Sequence, residues 1–415
     1  MLEPLRIRDF ALLWIGMSVS LVGDAIFLVA LAWQVYQLTN NPAALGWILA
    51  AYLTPMIAFL LLGGVLTDRF ERRKLIITAD LIRALAIGAA GALALAGTLE
   101  LWQLALCAAF AGLGDALFAP AFSSIVPEIV PRELLAQANA LDQFARPLAG
   151  LLGPALAGLL IAFSGAGLAL LVDATSFAAS TATALLLTPR PLERHPARSA
   201  ARELREGYAF VRARTWLWAT LTITALLSIA PAARNVLLPF VVKHDLHASA
   251  ATLGAVYSAT AAGALLSALI YGQRGLPRRY VLVMYLAWAV VGFIIAGYGL
   301  ATGIAELVAL GFLAGLATAI GQAIWTTMLH QHVPRELLGR ISSLDWLLST
   351  SLMPAAMITI GLLANALGAR ETLVLAGLLA GTLTLLTITT IPRLRDPERN
   401  PPEAHSEPAR RQAEP

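Results

Sequence analysis

Long apolar stretches alternate with short polar segments along the whole chain, and this pattern predicts a bundle of membrane-spanning α-helices. Each stretch contains about 20 apolar residues, which is enough to cross a hydrocarbon core of ~30 Å. None alternates apolar and polar positions over about ten residues, as the strands of a membrane barrel do. The twelve predicted segments are residues 10–38, 44–67, 75–98, 101–125, 135–163, 166–188, 215–242, 248–271, 279–301, 304–330, 340–366 and 370–391.

The amino-acid composition requires lipid around most of the protein surface. Hydrophobic residues make up 58% of the chain and charged residues only 13%, whereas a soluble domain has roughly 25% charged residues. The first apolar stretch is longer than the ~7–15-residue core of a signal peptide, so we expect an uncleaved first helix. The single cysteine, Cys107, excludes an internal disulfide framework and a cysteine metal site.

The basic residues predict the orientation of the chain in the membrane. If the N-terminus is cytoplasmic, nearly all of the 29 lysines and arginines fall in cytoplasmic segments. The exceptions are Lys243 and Arg370 on the opposite side and Arg83, Arg146 and Arg234 within apolar segments. The positive-inside rule therefore predicts two cytoplasmic termini in the cell (inner or plasma) membrane. The basic face suits contact with anionic lipid headgroups, and nothing indicates nucleic-acid binding.

An internal repeat divides the chain into two halves. The hexapeptide at residues 130–135 recurs letter for letter at residues 333–338, and Leu141-Asp142 matches Leu344-Asp345 at the same offset. Proline followed by glutamate is typical of a helix start. The repeat predicts an all-α membrane protein of twelve transmembrane helices in two pseudo-symmetric six-helix bundles, an arrangement that binds substrate between the halves at the midplane.

Polar segments set the predicted domain boundaries. Residues 1–188 form the N-terminal bundle and residues 215–391 the C-terminal bundle. Residues 189–214, rich in Arg, Pro and Glu, form a cytoplasmic linker in which 200–212 suits a short amphipathic surface helix. Residues 392–415, rich in the same residue types, predict a disordered cytoplasmic tail.

The polar segment after the second stretch reads Gly63-Gly64-Val65-Leu66-Thr67-Asp68-Arg69-Phe70-Glu71-Arg72-Arg73-Lys74. It resembles the loop 2–3 signature of the major facilitator superfamily of secondary transporters. With Glu71 in place of the usual glycine, and Ala79-Asp80-Leu81 downstream, it is similar to the macrolide-efflux and enterobactin-exporter branch (the drug:proton antiporter-3 group).

That resemblance implies the major facilitator fold over residues 5–392 and a cytoplasmic gate at the loop 2–3 motif. Asp68 would close against the segment that begins near Arg340 and accept from its backbone N–H groups. The gate residues implied are Gly64, Asp68, Arg69, Arg72 and Arg73. The alternative is a loop that only sets topology, although bases alone would satisfy that purpose.

The fifth stretch carries a second resemblance, to the helix 5 antiporter motif of exporters in the same superfamily. The matching residues are Gly150, Gly153, Pro154 and Gly158, with Ala149 and Ala157 where glycine is usual. Small residues permit close helix packing, and that alone is the alternative reading. The Arg-x-x-x-Gly element that moves protons in many drug exporters is missing, because Ala108 precedes Gly112 by four residues.

Charged residues inside the apolar stretches are candidates for proton or substrate binding, because a charge at bilayer depth costs at least ~2.5–3.5 kcal/mol. Asp142 and Arg146 lie four residues apart on one helix face. They form either an i,i+4 pair or a coupling site. Asp115 is a second candidate partner for Arg146.

Asp24 lies alone near the centre of the first stretch. It either carries a proton at neutral pH or pairs with a cation such as Arg146, Arg234 or a substrate amine; a packing hydrogen bond is the alternative. Three alternatives remain for Arg234: it pairs with Asp24, it binds an anionic group of the substrate, or it caps a broken helix. Asp345 and Asp173 are weaker candidates, and Asp173 is expected near the outer end, within reach of water.

These observations predict a proton-coupled exporter of small amphipathic molecules, such as drugs, macrolides or siderophores, that works by alternating access. A lipid or nutrient transporter of the same fold and a non-transporting membrane sensor remain as alternatives. The sequence contains no Walker loop, His-Glu-x-x-His motif or serine nucleophile elbow, so neither ATP drive nor an enzyme is indicated. No cofactor or metal is expected. The expected partners are the substrate, protons and membrane lipid, and the protein is expected to be a monomer.

Overall fold

The structure, a computed structural model, describes residues 2–188 and 208–399. These residues form an all-α membrane protein, in which the long helices follow the predicted apolar stretches. The helices are α1 (Arg8–Leu38), α2 (Pro42–Arg69), α3 (Arg72–Leu95), α4 (Leu101–Ile129), α5 (Leu135–Leu185), α6 (Thr215–Leu226), α7 (Ile229–Phe240), α8 (Ala250–Arg274), α9 (Tyr280–Leu300), α10 (Ile304–His332), α11 (Arg335–Ser351), α12 (Met353–Leu367) and α13 (Ala369–Thr390).

The number of membrane passes depends on how α5 is counted. Eleven helical segments of the described chain are long and apolar enough to span a membrane. One of them contains α5, whose 51 residues extend roughly 75 Å at 1.5 Å per residue, more than twice the hydrocarbon thickness. Gly165 interrupts it with non-helical angles of φ 80° and ψ 170°. The break lies between the predicted segments 135–163 and 166–188, so α5 has the length and the turn for two passes.

Two other predicted segments are each divided into two helices. Segment 215–242 becomes α6 and α7, and segment 340–366 lies within α11 and α12. Proline explains both breaks: Pro231 lies in the first turn of α7 and Pro354 at the start of α12. Proline has no N–H to donate, and its ring clashes with the preceding turn. Each of these two prolines therefore suits the start of a helix better than its interior.

The helices pack as two halves, α1–α5 and α6–α13. In the first half, α1 and α3 pack on α5 and α2 packs on α4; in the second, α8 packs on α10 and α9 on α13. The halves meet mainly where α5 packs on α8 and α2 on α12.

The boundaries of linker and tail differ partly from the predicted ones. Residues 189–207, including most of the proposed amphipathic helix, lie outside the described residues; residues 208–212 are helical. The tail was predicted to be disordered from residue 392, but residues Pro392–Arg395 and Asp396–Arg399 form two short helical turns. Leu394 is fully buried, and Glu398 accepts hydrogen bonds from the N–H groups of Val281 and Leu282 at 2.6 and 3.3 Å. This cap on α9 orders the start of the tail.

Candidate functional site

Three adjoining cavities occupy the middle of the bundle. The N-half cavity, about 520 Å³, is enclosed by α1–α5 and extends from Tyr52 and Arg83 to Phe10 and Leu135. The central cavity, about 660 Å³, is lined from both halves. The C-half cavity, about 550 Å³, is lined by three tryptophans, Trp288, Trp325 and Trp346.

Shared side chains join the three cavities. Tyr52 and Met56 line both the N-half and the central cavity. Arg234 and Trp346 line both the central and the C-half cavity. A molecule in the central cavity therefore contacts side chains that also form the walls of the other two.

Asp24 lines the N-half cavity from the middle of α1. It is half-buried and makes no hydrogen bond or ion pair with any residue that the structure describes. Asp115 and Arg83 are among the charges that act on it. Neither of the two protein cations considered as partners of Asp24 pairs with it within the described chain: Arg146 pairs with Asp142, and Arg234 donates to Asn235.

A buried charge cluster forms the deep wall of the N-half cavity. Arg83 is only 2% exposed, and its guanidinium donates to Asp115 at 2.8 Å and also pairs with Asp80. The Tyr52 hydroxyl donates to the other oxygen of Asp115. The guanidinium carbon lies 4.4 Å and 4.2 Å from the ring centroids of Phe118 and Phe177.

The central member of this cluster, Arg83, is not among the predicted site residues, and Asp115, a candidate partner for Arg146, has another partner. Arg83 was noted only as an exception to the charge asymmetry, although an arginine three residues after Asp80 within an apolar stretch was the available signal. Asp115 pairs with Arg83 rather than with Arg146, because α3 packs on α4. Arg146 pairs instead with Asp142 in its own helix, at 3.4 Å and with 53% of the arginine side chain exposed.

The second half repeats the Asp142 arrangement in altered form. Asp345, the repeat equivalent of Asp142, lines the C-half cavity. It accepts from the Trp325 indole N–H at 2.9 Å and from the Ser349 hydroxyl at 3.4 Å. Ser349 takes the position of Arg146 in the repeat, so the residue four positions after the acid is a cation in one half and a neutral hydroxyl in the other.

Arg234 is the cation of the central and C-half cavities. Its guanidinium donates to the side-chain oxygen of its neighbour Asn235 at 3.2 and 3.3 Å. That partner is neutral, so the positive charge of Arg234 has no countercharge in this contact. The structure places it on the wall of both cavities, which fits the anion-binding alternative geometrically.

Asp173 does not lie near water, contrary to expectation. It is fully buried, packed against Gly23 in the middle of α1, where an added Cβ would clash with its carboxylate. Ser176 donates to one carboxylate oxygen at 3.4 Å. Within the described chain the other oxygen has no hydrogen-bond partner. The apolar stretch indicates a position along the helix but not which neighbouring helix covers a side chain, and here α1 covers Asp173.

Two arginines of the loop 2–3 motif bind within their own half. Arg72 pairs with Glu128 at the end of α4. Arg73 donates to the carbonyl oxygens of Ala184 and Leu185, at 2.9 and 2.6 Å, at the C-terminus of α5. Gly64 and Asp68 belong to α2, but the Asp68 side chain lies outside the described part of the structure, and Arg69 is exposed.

The motif residues of α5 pack closely against neighbouring helices. A Cβ added to Gly153 would crowd Ala25 of α1, and one added to Gly158 would lie 2.6 Å from the Cα of Ala251 in α8. The Pro154 carbonyl fills the space beside Gly254. The small residues therefore bring the backbones of the two halves into contact.

Further contacts join the two halves at the end of the bundle opposite the loop 2–3 motif. The Tyr36 hydroxyl donates to the Val236 carbonyl at 2.8 Å, and Lys243 donates to the carbonyl of Tyr36. Gly361 of α12 packs against Ala43 at the start of α2. These contacts close the space between the halves at that end.

Comparisons with known proteins agree with this architecture. Residues 1–412 match the family profile MFS_3, described as transmembrane secretion effector. Macrolide efflux protein A of Streptococcus pyogenes is 25% identical over 392 residues, covering 93% of this chain and 96% of that protein. The enterobactin exporter EntS of Shigella boydii serotype 18 is 29% identical over 343 residues, covering 81% of this chain and 80% of that protein.

The fold is also found among solved structures. A bacterial homologue of the iron transporter ferroportin, in an inward-facing state, superimposes with a TM-score of 0.70 at 18% sequence identity. The match covers 92% of this chain and 98% of that protein. At this identity the likeness concerns the fold alone.

Proposed function

Because the chain belongs to the transmembrane secretion effector family of the major facilitator superfamily, we propose that it exports small amphipathic molecules in exchange for protons. Members of this superfamily are transporters, and the chain is not an enzyme. The names of the relatives support drug-, macrolide- or siderophore-like substrates. The observation that carries the proposal is Asp24, an acid on the wall of a cavity in the N-terminal half, with no hydrogen bond or ion pair to any other described residue.

Alternating access is the proposed mechanism. The central cavity is lined by both halves, and contacts such as Tyr36–Val236 close the halves at one end. Rocking of the halves about a central site would expose that site to each side in turn. We assign the end with the loop 2–3 motif to the cytoplasm, together with both termini, because the basic residues concentrate there.

Asp24 is the proposed proton carrier. An unpaired carboxylate at bilayer depth costs several kcal/mol, so a proton on Asp24 stabilises the acid when no cation faces it. Export against a gradient requires a coupled ion, and one proton crossing 100 mV supplies about 2.3 kcal/mol. The second candidates for proton or substrate binding are Asp115, Asp142 and Arg146 in the first half. Arg234 and Asp345 are the candidates in the second half.

The two sequence motifs serve the conformational change in this proposal. Asp68 and Arg69 of the loop 2–3 motif gate the cytoplasmic end, while Arg72 and Arg73 hold the loop to its own half. Gly158 and its neighbours in α5 allow close contact with α8 when the opposite end is shut.

Proteoliposomes with an imposed pH gradient test the proposal directly. The assay follows movement of a panel of amphipathic dyes, macrolides and catecholate siderophores by wild type and by Asp24→Asn. We expect gradient-driven transport by the wild type and loss of most of it in the variant, because asparagine cannot exchange a proton.

The charge-retaining variant Asp24→Glu is the matched control and should keep transport. Transport that survives in Asp24→Asn would move the coupling site to Asp115, Asp142 or Arg146. Binding without any gradient-dependent movement, for every compound, would contradict the exporter and favour a sensor.

A further inference from the structure

We infer that the second half has a binding site for an anionic phospholipid at the end of the bundle assigned to the cytoplasm. The site is a cavity of about 550 Å³ between α6, α11 and the short helical segment 208–212. This lipid groove shares no lining residue with the three cavities at the middle of the bundle. The inference therefore goes beyond the proposed transport path.

The residues that line the lipid groove match the parts of a phospholipid. Arg212 is the one charged residue among them, and it is exposed. It makes no hydrogen bond or ion pair with any other residue that the structure describes. Tyr208 and Trp218, both exposed, have the amphipathic rings that are typical of the membrane interface. The remaining lining residues are one threonine and four aliphatic residues: Thr222, Val211, Leu221, Leu344 and Leu348.

The apolar part of the lipid groove lies within the depth of one leaflet. Trp218, Leu221 and Thr222 belong to the first two turns of α6, within about 12 Å of its start. Half of the hydrocarbon core is about 15 Å thick. Arg212 precedes α6 by three residues, which places it at the level of the headgroups. An acyl chain that lies against Leu221 therefore brings the phosphate of the same molecule to Arg212.

The lipid groove opens away from the transport path. Leu344 and Leu348 lie one turn apart on α11, and Leu348 is 39% exposed. Trp346 and Thr350, which line both the central and the C-half cavity, lie on the opposite face of α11 at 3.6 residues per turn. The groove is therefore accessible from the surrounding bilayer, and a lipid in it contacts the outer side of a helix whose inner side lines the C-half cavity.

The charge of Arg212 selects the class of lipid. A guanidinium binds two oxygens of a phosphate at once, and the described lining contains no acid to compete for it. A zwitterionic lipid offers the same phosphate but adds a cation, which Arg212 would repel. One arginine near the membrane surface accounts for a preference of about fivefold for an anionic headgroup.

Quenching of Trp218 fluorescence by brominated lipids tests the inference. The purified full-length protein in a neutral detergent is titrated with phosphatidylglycerol or phosphatidylcholine. Both lipids carry the same brominated acyl chains, which quench an indole on contact. The part of the quenching that is lost in Trp218→Phe belongs to Trp218. We expect half-maximal quenching of Trp218 at an about fivefold lower mole fraction of phosphatidylglycerol than of phosphatidylcholine.

Two substitutions of Arg212 assign this preference to the lipid groove. Arg212→Gln should make the two lipids equal, and the charge reversal Arg212→Glu should favour phosphatidylcholine. Arg212 is exposed, so neither change disturbs a packed contact. Arg6→Gln is the matched control, because Arg6 is an exposed arginine at the same end of the bundle that does not line the groove. It should leave the preference for phosphatidylglycerol unchanged.

Three results would overturn the inference. Equal half-maximal concentrations of the two lipids for the unsubstituted protein would mean ordinary solvation of the groove by lipid. A preference that persists in both Arg212 variants would place the headgroup elsewhere. A preference lost equally in Arg6→Gln would assign it to the general positive charge of this end. Because neither a substrate nor a gradient is used, these results are independent of the transport assay.

Discussion

At the scale of single residues, the N-terminal half is held together by a charge that sequence analysis did not select. Arg83 lies between two carboxylates and two aromatic faces. A guanidinium suits this position because it stays charged and its planar fork bonds two acids at once. Removing one member of such a buried group leaves the others charged and unpaired, which is more costly than the pair is favourable.

Arg83→Ala is therefore expected to lower the free energy of unfolding by about 3–5 kcal/mol. Arg146→Ala is the matched control, since Arg146 lines the same cavity but is half-exposed; its loss should cost no more than about 1 kcal/mol. Both are measured by unfolding the purified variants in mixed detergent micelles. Equal effects would show that the Arg83 cluster does not stabilise the half.

The sequence shows the embedded charges but not how all of them pair. Asp142 and Arg146 were paired correctly, because their spacing within one helix determines the contact. The partner of Asp115 was not predicted, because this contact depends on which helices pack together. Asp173 was placed near water, yet it is buried against Gly23. Spacing along one helix is visible in the sequence, whereas contacts between helices require the packing.

At the scale of helices, the apolar stretches predicted the ends of most long helices within a few residues. Hydropathy alone did not show the interruptions between α6 and α7 or between α11 and α12, since apolar residues continue through both; only the broken-helix alternative for Arg234 pointed to the first. Prolines were the available signal. The sequence also contained the small residues of α5, but their partner helix, α8, appears only in the fold.

The contact between α5 and α8 predicts different tolerances for two glycines of one motif. A Cβ at Gly158 would lie 2.6 Å from the Cα of Ala251, whereas one at Gly150 would lie 3.6 Å from the Cβ of Ala261. Gly158→Ala should thus push two backbones apart and cost about 1–3 kcal/mol. Gly150→Ala should be tolerated, since the added methyl makes an ordinary contact. Thermal unfolding of both variants tests this prediction, and equal stability of Gly158→Ala and Gly150→Ala would contradict it.

At the scale of the whole molecule, the sequence repeat predicted the two-half architecture and even the equivalence of Asp142 and Asp345, each on the wall of its own half's cavity. It did not predict how the halves differ. The first half has a buried ion cluster and Asp24, an acid with no ion pair among the described residues; the second has tryptophans and an arginine with a neutral partner. A ligand in the central cavity therefore lies between unequal walls, and movement of the halves changes which wall it contacts.

Separation of the halves is required for alternating access, and two pairs of residues allow it to be tested by cross-linking. Gly150 and Ala261 lie across the halves, and the ideal Cβ of Gly150 is 3.6 Å from that of Ala261, a spacing that suits a disulfide. Gly88 and Ala174 lie at 3.5 Å within the first half. Because Cys107 is the only native cysteine, both pairs can be placed in a Cys107→Ser background.

Oxidation of Gly150→Cys/Ala261→Cys is expected to abolish transport in proteoliposomes, and reduction should restore it, because the bond fixes α5 against α8. Oxidation of Gly88→Cys/Ala174→Cys should leave most transport intact, because α3 and α5 move together as one half. Full transport by the cross-linked pair between the halves would mean that they do not part along α5 and α8. Loss of transport in both pairs would mean instead that each half must also deform internally, so that rigid rocking is not the motion.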